Sequence, residues 1–252
     1  MQEFIQKVTR QAGQLVATKF GRVGVAYTKR NSADVVTAVD VVANRLIADT
    51  IRTKFPTHGI ISEEQPESNA DAEYVWIVDP LDGTRNFSTG TPLFGVMVAM
   101  ARRGVLELAA IHDPVHDTLY FAERGRGASV NGKSIHCSEC QEWAYSYGCS
   151  GASITKGKVS NLRSLVDSAA SEPFWLNQFG SCAVSAMYTA DGRRDWYVSL
   201  GGSVWDYAAS ALLLAEAGCV VTNLQGQPWT TSDQQLVAAP PALHYELLRR
   251  IR

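Results

Sequence analysis

The chain has 252 residues, 46% of them apolar, which is enough to bury the core of one large domain or of two fused lobes. Its formal net charge is only −2, and it lacks the basic stripe that is typical of nucleic-acid-binding proteins. It also lacks an apolar run that could cross a membrane and a secretory leader, so we expect a cytoplasmic protein that binds neither nucleic acid nor membrane.

The first half of the chain is predicted to start with two helices and to continue as a sheet. Apolar residues recur at helical spacing over residues 2–19 and 38–54, and Pro56 ends the second helix. The acidic, turn-rich stretch 62–73 is predicted to be a loop. Apolar runs predict strands at 74–78, 94–101, 105–112 and 118–123, followed by a Gly-rich turn at 124–133.

After about residue 140, helical patterns alternate with strand patterns. The candidate helices are 158–170, 182–190, 204–217 and 241–251, and the candidate strands lie near 143–148, 195–199, 219–222 and 235–238. Helices and strands in this mixture predict an α+β or mixed α/β architecture of stacked layers.

The cysteines do not indicate a disulfide framework, because their number is odd and they are scattered. They are Cys137, Cys140, Cys149, Cys182 and Cys219. The first two form one C-x-x-C motif next to His136, but a structural zinc site usually needs a second matching pair, which the sequence does not offer. We therefore expect reduced, partly buried thiols.

Carboxylates border apolar elements at several places in the chain. They are Asp34 and Asp40 ahead of the second helix, Glu63 and Glu64 after 59–62, Asp79 and Asp82 at the end of the strand 74–78, and Asp206 at the start of an apolar helix. Any one of them could be a helix cap or a solvated loop acid. Together they suggest another role, since an isolated charge at the edge of a core is costly.

Acids that converge would bind a divalent cation. Two carboxylates about 4 Å apart repel each other by roughly 4 kcal/mol at an effective dielectric constant near 20, so a group of three or four takes up protons or requires a cation. Ligand sets made only of oxygen favour Mg²⁺ or Mn²⁺ over zinc or copper. In the turn 82–84, Gly83 allows close backbone approach, and amides there would face a phosphate. A metal beside a phosphate cradle suits phosphoryl transfer to water.

Four motifs follow one another in a fixed order. They are D-V-V-T-A-V-D at 34–40, I-S-E-E at 61–64, W-I-V-D-P-L-D-G-T-R-N-F at 76–87, and W-D-Y-A-A at 205–209, which continues to E-A-G at 216–218. In order and spacing they resemble the inositol monophosphatase family of Mg-dependent, lithium-sensitive phosphatases over roughly residues 1–250. The resemblance implies a layered αβαβα sandwich and a homodimer. It implies one domain over 1–252, with a metal- and phosphate-binding lobe at 1–140 and a substrate-side lobe at 141–252.

The resemblance also implies which residues would bind metal and activate water. Two or three Mg²⁺ ions, with Mn²⁺ as an alternative, would be held by Glu63, Asp79, the Leu81 carbonyl, Asp82 and Asp206. Asp40 and Thr84 would orient and deprotonate the attacking water, with Glu64 nearby. The backbone amides of Gly83 and Thr84 would hold the phosphate.

Substrate contacts are implied less completely, because the sequence departs from the family pattern there. The matching positions are Gly180, Ser181, Cys182 and Ala183 in a G-[ST]-x-A turn, together with Ser199 and Asp206, and Lys29 on a mobile active-site loop. Ser199 stands where typical members have an inositol-binding Glu, Ser203 replaces the His of H-x-W-D, and Arg85 replaces a Thr.

We therefore expect a phosphomonoesterase for inositol 1-monophosphate or a similar polyol phosphate, and three alternative substrates stay open. They are histidinol phosphate, fructose 1,6-bisphosphate and 3′-phosphoadenosine 5′-phosphate. A different class of function also stays open, namely a non-catalytic regulatory protein that uses the same fold.

Overall fold

In the computed structural model of the chain, the described residues are 1–22, 27–28, 35–151 and 159–251. The helices within these ranges are α1 (Gln2–Ala17), α2 (Ala38–Lys54), α3 (Thr84–Ser88), α4 (Val159–Ser168), α5 (Cys182–Ala190), α6 (Val204–Glu216) and α7 (Pro241–Ile251). None of them combines the length and the apolar character that a membrane-spanning helix needs.

The strands within the same ranges form two large sheets and a small ribbon. They are β1 (Tyr27–Thr28), β2 (Val35–Val36), β3 (Gly59–Ser62), β4 (Gln65–Ser68), β5 (Tyr74–Asp82), β6 (Gly95–Arg102), β7 (Val105–Asp113), β8 (Thr118–Glu123), β9 (Gly127–Val130), β10 (Lys133–Ile135), β11 (Tyr147–Ser150), β12 (Trp175–Asn177), β13 (Trp196–Ser199), β14 (Val220–Thr222) and β15 (Leu236–Ala239).

The two large sheets both mix parallel and antiparallel pairs. The eight-stranded sheet has the order β10-β9-β8-β7-β6-β5-β3-β4, and its pairs are antiparallel except for β3 with β5. The five-stranded sheet has the order β12-β11-β13-β15-β14, with β11 parallel to both of its neighbours. The ribbon consists of β1 and β2.

Three buried apolar clusters separate the layers. Successive side chains of a strand point to opposite faces of its sheet, so Trp76 packs with α1 and α2, whereas Ile77 packs with α5 and α6. In the five-stranded sheet, Tyr197 faces that same α5–α6 layer, and Trp196 packs on the other side with α4 and α7. The layer order is therefore αβαβα, which confirms the predicted fold class.

Two segments of the eight-stranded sheet differ from the prediction. The stretch 62–73, predicted as a loop, contains β4, which pairs with β3 and leaves Glu63 and Glu64 as the hairpin turn. The predicted Gly-rich turn at 124–133 contains β9 and the first residue of β10. These strands lie at or near the sheet edges and expose much of their surface, so they carry no clear apolar alternation.

Gly13 allows α1 to lie directly against the buried His112 of β7. A methyl group at Gly13 would be 1.9 Å from His112 Nδ1. The His112 ring is fixed from its other side by Asp117, whose Oδ1 is 2.9 Å from Nε2. The close approach of helix and sheet at this point thus depends on the absence of a side chain.

We expect Gly13→Ala to lower the free energy of unfolding by roughly 1–3 kcal/mol, the usual cost of overpacking a core. In a helix without such a contact, Gly→Ala instead stabilises by about 0.5–1 kcal/mol, so the sign of the change is diagnostic. Thermal unfolding measures it, with Gln14→Ala on the exposed face of α1 as the control. A Gly13→Ala protein at least as stable as the unmodified one would contradict the contact.

Candidate functional site

Two parallel strands bring a first pair of acids together. β3 pairs with β5 so that Ser62 lies opposite Val78. The residues that follow, Glu63 and Asp79, therefore lie side by side where both strands end, and the Glu63 amide donates to the Val78 carbonyl over 3.3 Å. The arrangement requires a parallel pair, since only then do the two carboxyl ends meet at the same edge.

A bulge at the end of β5 adds the next acid. The pairing register with β6 shifts between Asp79 and Asp82. Over this interval β5 advances by three residues, whereas β6 advances by two. Pro80 has no amide to donate to a neighbouring strand, and the Leu81 amide turns back to Asp79 Oδ1 at 3.1 Å. Residues three apart in a regular strand face opposite sides, so the bulge is what lets both carboxylates face the same side.

The N-terminal ends of two helices position Asp82 and Asp206. Asp82 Oδ2 accepts hydrogen bonds from the Ser181 hydroxyl and, over 2.7 Å, from the Ala183 amide at the start of α5. Asp206 is in the first turn of α6, where its Oδ2 accepts the Ser203 amide over 2.5 Å and closes a capping box. Asp82 is thus held by residues about 100 positions away in the chain, and Asp206 by a hydrogen bond within its own capping box.

The four acids form one electrostatic cluster. Burial raises the pKa of Asp79 well above its ordinary value, and the charges of Glu63, Asp82 and Asp206 raise it further. Burial also raises the pKa of Asp82, and the hydrogen bonds that it accepts oppose this shift. A divalent cation would relieve this repulsion, and a donor set of carboxylate oxygens fits Mg²⁺ or Mn²⁺.

A carboxylate and a hydroxyl meet beside this cluster. Thr84 Oγ1 lies 2.9 Å from Asp40 Oδ1 and 2.9 Å from the Leu81 carbonyl oxygen. Asp40 is buried in the first turn of α2, and its Oδ2 accepts the amide and the hydroxyl of Thr37 at 2.8 and 2.5 Å. Burial raises the pKa of Asp40, and the hydrogen bonds from Thr37 and Thr84 oppose the shift. Asp40 therefore completes the capping box of α2, whose N-cap is Thr37, and is also the partner of Thr84.

The turn between β5 and α3 is held tightly by its surroundings. Gly83 has φ = 84°, and a methyl group there would lie 2.9 Å from the Leu93 carbonyl oxygen and 3.1 Å from Ser181 Cβ. The Asn86 side-chain amide donates to the carbonyls of Leu93 and Phe179, each over 2.7 Å. Asn86 thereby joins the turn to the segment that leads into α5.

We expect Asn86→Ala to lower the free energy of unfolding by about 1–3 kcal/mol, because two partly buried carbonyls lose their donor. The segment before α5 would also lose its tie to the turn. Thermal unfolding measures the loss of stability. Thr89→Ala, an exposed substitution just after the same short helix, serves as the control. Equal losses of stability in the two variants would show that the hydrogen bonds of Asn86 do not hold the turn.

Most of the predicted site residues lie together in the structure. Glu63, Asp79, Asp82 and Asp206 share the acid cluster, the Leu81 carbonyl and Gly83 lie in the adjoining turn, and Thr84 bonds Asp40. From the predicted substrate turn, Ser181 and Ala183 bond Asp82, Gly180 lies against Asn86, and Cys182 lies near Asp82 and Asp206. The chemical roles of these residues stay predictions.

Three predicted residues are less directly placed. Glu64 is half-buried in the hairpin turn after Glu63. Ser199 is buried in β13 with its hydroxyl 2.8 Å from that of Tyr207, and its contact with substrate stays a prediction. Lys29 lies outside the described residues.

Two structural roles were not predicted from the sequence. Asn86 stands in a recognisable motif, but its partner Phe179 is 93 positions away, and no local pattern indicates such a pair. Glu216, in the E-A-G motif, accepts the amides of Gly125 and Gly127 over 2.8 Å each, so it anchors the turn between β8 and β9. The glycines of this turn indicate its backbone conformation, but no local pattern indicates an acceptor 91 positions away.

Comparisons with known proteins agree with this arrangement. The model of the inositol monophosphatase family matches residues 1–252. The Nus factor SuhB of Escherichia coli (strain K12) is 33% identical over 249 residues, which cover 98% of this chain and 93% of the relative. That of Pseudomonas aeruginosa is 34% identical over 257 residues, with the same two coverages.

Two solved structures have nearly the same fold. The extragenic suppressor protein suhB from Bartonella henselae superposes with a TM-score of 0.92 at 26% identity, covering 99% of this chain and 97% of its own. The Thermotoga maritima IMPase superposes with a TM-score of 0.90 at 30% identity, covering 99% and 95%.

Proposed function

Because this chain belongs to the inositol monophosphatase family, we propose that it hydrolyses phosphate monoesters of small molecules with the help of Mg²⁺. One observation carries the proposal: Glu63, Asp79, Asp82 and Asp206 converge beside the bonded pair Asp40 and Thr84. A protein with no use for a cation has no reason to gather four mutually repelling carboxylates at the edge of its core.

The acid cluster and the turn have separate tasks in this proposal. Two or three Mg²⁺ ions, or Mn²⁺ in their place, would be held by Glu63, Asp79, the Leu81 carbonyl, Asp82 and Asp206. Bound ions of this kind lower the pKa of water and neutralise the charge that develops on the leaving oxygen. The amides of Gly83 and Thr84 would orient the phosphate, and the left-handed backbone at Gly83 shapes the turn that carries them.

The Asp40 and Thr84 pair is proposed to handle the proton of the attacking water. The Thr84 hydroxyl has a single proton and lies within hydrogen-bonding distance of both Asp40 and the Leu81 carbonyl. When it donates to Asp40, its oxygen can accept a proton from a water molecule aligned for attack. Glu64, in the hairpin turn after Glu63, is proposed to assist this pair.

The proposed substrate is inositol 1-monophosphate or a similar polyol phosphate. The segment 180–183 enters α5 next to Asp82, so it is well situated to contact the alcohol part of an ester whose phosphate lies at Gly83. Ser199 supplies a hydroxyl in place of a carboxylate, which keeps histidinol phosphate, fructose 1,6-bisphosphate and 3′-phosphoadenosine 5′-phosphate open as substrates. Family membership also supports a homodimer and a cytoplasmic location as further proposals.

A substrate panel tests the function directly. Phosphate release from inositol 1-monophosphate and from the three alternative esters is measured with Mg²⁺, with Mn²⁺ and after treatment with a chelator. We expect release to require the divalent ion and to favour the polyol ester. Absence of metal-dependent release from every ester would refute the phosphatase, and a preference for another ester would refute the polyol assignment alone.

A second function is a regulatory role for the same fold. The Escherichia coli and Pseudomonas aeruginosa relatives carry the name Nus factor SuhB, which does not name a phosphatase. The two functions are compatible, because regulation would use the outer surface and catalysis the acid cluster. A protein that binds Mg²⁺ and yet releases no phosphate from any ester would favour regulation as the sole function.

A further inference from the structure

Cys182 introduces a sulfur atom into the acid cluster. Its Sγ, one carboxylate oxygen of Asp82 and one of Asp206 all lie within 4.8 Å of one another. The three residues come from different elements, namely the end of β5, the first residue of α5 and the first turn of α6. A magnesium site has no use for this sulfur, because hard cations prefer oxygen ligands.

The three donor atoms suit an ion with a preference for sulfur. Zinc binds thiolate sulfur at about 2.3 Å and carboxylate oxygen at about 2.0–2.2 Å in tetrahedral sites, which separates two ligand atoms by about 3.3–3.8 Å. A contraction of about 1 Å would bring the present atoms to those separations. One sulfur and two carboxylates leave a fourth position for water, and the thiolate favours Zn²⁺ or Cd²⁺ over Mg²⁺.

A buried hydroxyl next to the sulfur is an independent indication of the same site. Tyr197 is fully buried in β13, and among the described residues its Oη has no hydrogen-bond partner other than the Cys182 thiol. This hydroxyl interacts with the Cys182 thiol. A phenol O–H beside a metal-bound thiolate can donate to the sulfur and orient it, as groups around metal ligands commonly do.

We propose that Asp82, Cys182 and Asp206 form a mixed oxygen and sulfur site for a thiophilic divalent cation such as Zn²⁺ or Cd²⁺. On binding, the thiol proton leaves to solvent and one sulfur–metal bond forms, so no oxidant or reductant takes part. Asp82 and Asp206 are also the proposed ligands of Mg²⁺, so the two kinds of ion exclude each other. This last consequence rests on the proposed function, whereas binding of the thiophilic ion does not.

Cadmium alone is the probe, because a sulfur-to-cadmium charge-transfer band in the ultraviolet reports thiolate ligation directly. The protein for this titration carries Cys137→Ala and Cys140→Ala, which remove the two partly exposed thiols. We expect a band that saturates at one equivalent of Cd²⁺. Adding Cys182→Ala should remove the band and weaken Cd²⁺ binding at least about tenfold. A band that persists without Cys182 would overturn the proposal.

Two further variants make the result specific. Cys149→Ala is the matched control, since Cys149 is also buried but its sulfur contacts the Ser185 carbonyl and Thr189 away from the acids. It should leave the band and the affinity unchanged. Asp206→Asn keeps an oxygen for the Ser203 amide but loses the charge, so the band should remain while Cd²⁺ binds at least about tenfold more weakly. Unchanged affinity in Asp206→Asn would mean that the thiol binds alone, which overturns the mixed site.

Circular dichroism verifies the fold of each variant, and Cys182→Ser replaces Cys182→Ala if the latter does not fold.

Two readouts, competition by Mg²⁺ and phosphate release, separate this proposal from the proposed function. Added Mg²⁺ should shift the Cd²⁺ titration to higher concentration, and the absence of a shift would overturn the shared site. A protein that shows the cadmium band but releases no phosphate with Mg²⁺ would refute the phosphatase and support the thiophilic site.

Discussion

Asp82→Asn is expected to lower Mg²⁺-dependent phosphate release by at least about 10²-fold while leaving the protein folded. The hydrogen bonds that Asp82 accepts from Ser181 and Ala183 end at Oδ2, and an amide oxygen can accept both. What the substitution removes is the negative charge, and a neutral amide is a poor ligand for a hard divalent cation. Steady-state phosphate release over a range of Mg²⁺ concentrations measures the loss.

The stability of the metal-free protein should change in the opposite direction. The charge of Asp82 is one of the causes that raise the pKa of Asp79, so its removal relieves a repulsion. Without Mg²⁺, we expect the melting temperature of Asp82→Asn to equal or exceed that of the unmodified protein, and the added stability from Mg²⁺ should shrink. Activity and stability that fall together would instead indicate a purely structural role.

Asp233→Asn is a matched control for this experiment. Asp233 also accepts a backbone amide and a hydroxyl, both from Thr230, at 2.7 and 2.9 Å. It lies in a surface loop outside the acid cluster, so its neutralisation should leave phosphate release unchanged. Activity of Asp82→Asn close to that of this control would contradict the metal site.

The sequence predicted the long elements well and the sheet edges poorly. α2 (Ala38–Lys54), α5 (Cys182–Ala190) and α7 (Pro241–Ile251) have the predicted bounds, because caps and apolar periodicity act within each segment. β12 was missed, and β4 and β9 were predicted as loop and turn. A strand of three or four residues at or near an edge is stabilised mainly by backbone pairing with its neighbours, which leaves little trace in the side chains.

The acids of the site could be predicted, but the way they meet could not. Their order and spacing along the chain are enough to mark them as a group. Their convergence depends on the parallel pairing of β3 with β5 and on the bulge in β5, and both are relations between distant backbone segments. The sulfur of Cys182 next to Asp206 has the same origin, since only the packing of α5 against α6 brings them together.

The second large effect is expected at the Asp40 and Thr84 pair. We expect Thr84→Val and Asp40→Asn each to lower kcat by about 10²–10⁴-fold, the usual contribution of positioned proton transfer. Asp40→Asn keeps an oxygen for the Thr37 amide, so the cap of α2 should survive. Because the two groups share one hydrogen bond, the double variant should be hardly slower than the slower single variant.

The double-mutant comparison separates a shared catalytic task from two structural ones. Thr50→Val, which removes a hydroxyl bonded over 2.6 Å to the Leu46 carbonyl in the same helix, is the control and should leave kcat unchanged. The stabilisation by Mg²⁺ should persist in both single variants, since neither belongs to the acid cluster. Losses in kcat that multiply in the double variant would show that Asp40 and Thr84 act independently. A pair 44 residues apart in the chain would then owe its contact to packing alone, and the proton acceptor would have to be sought at Glu64.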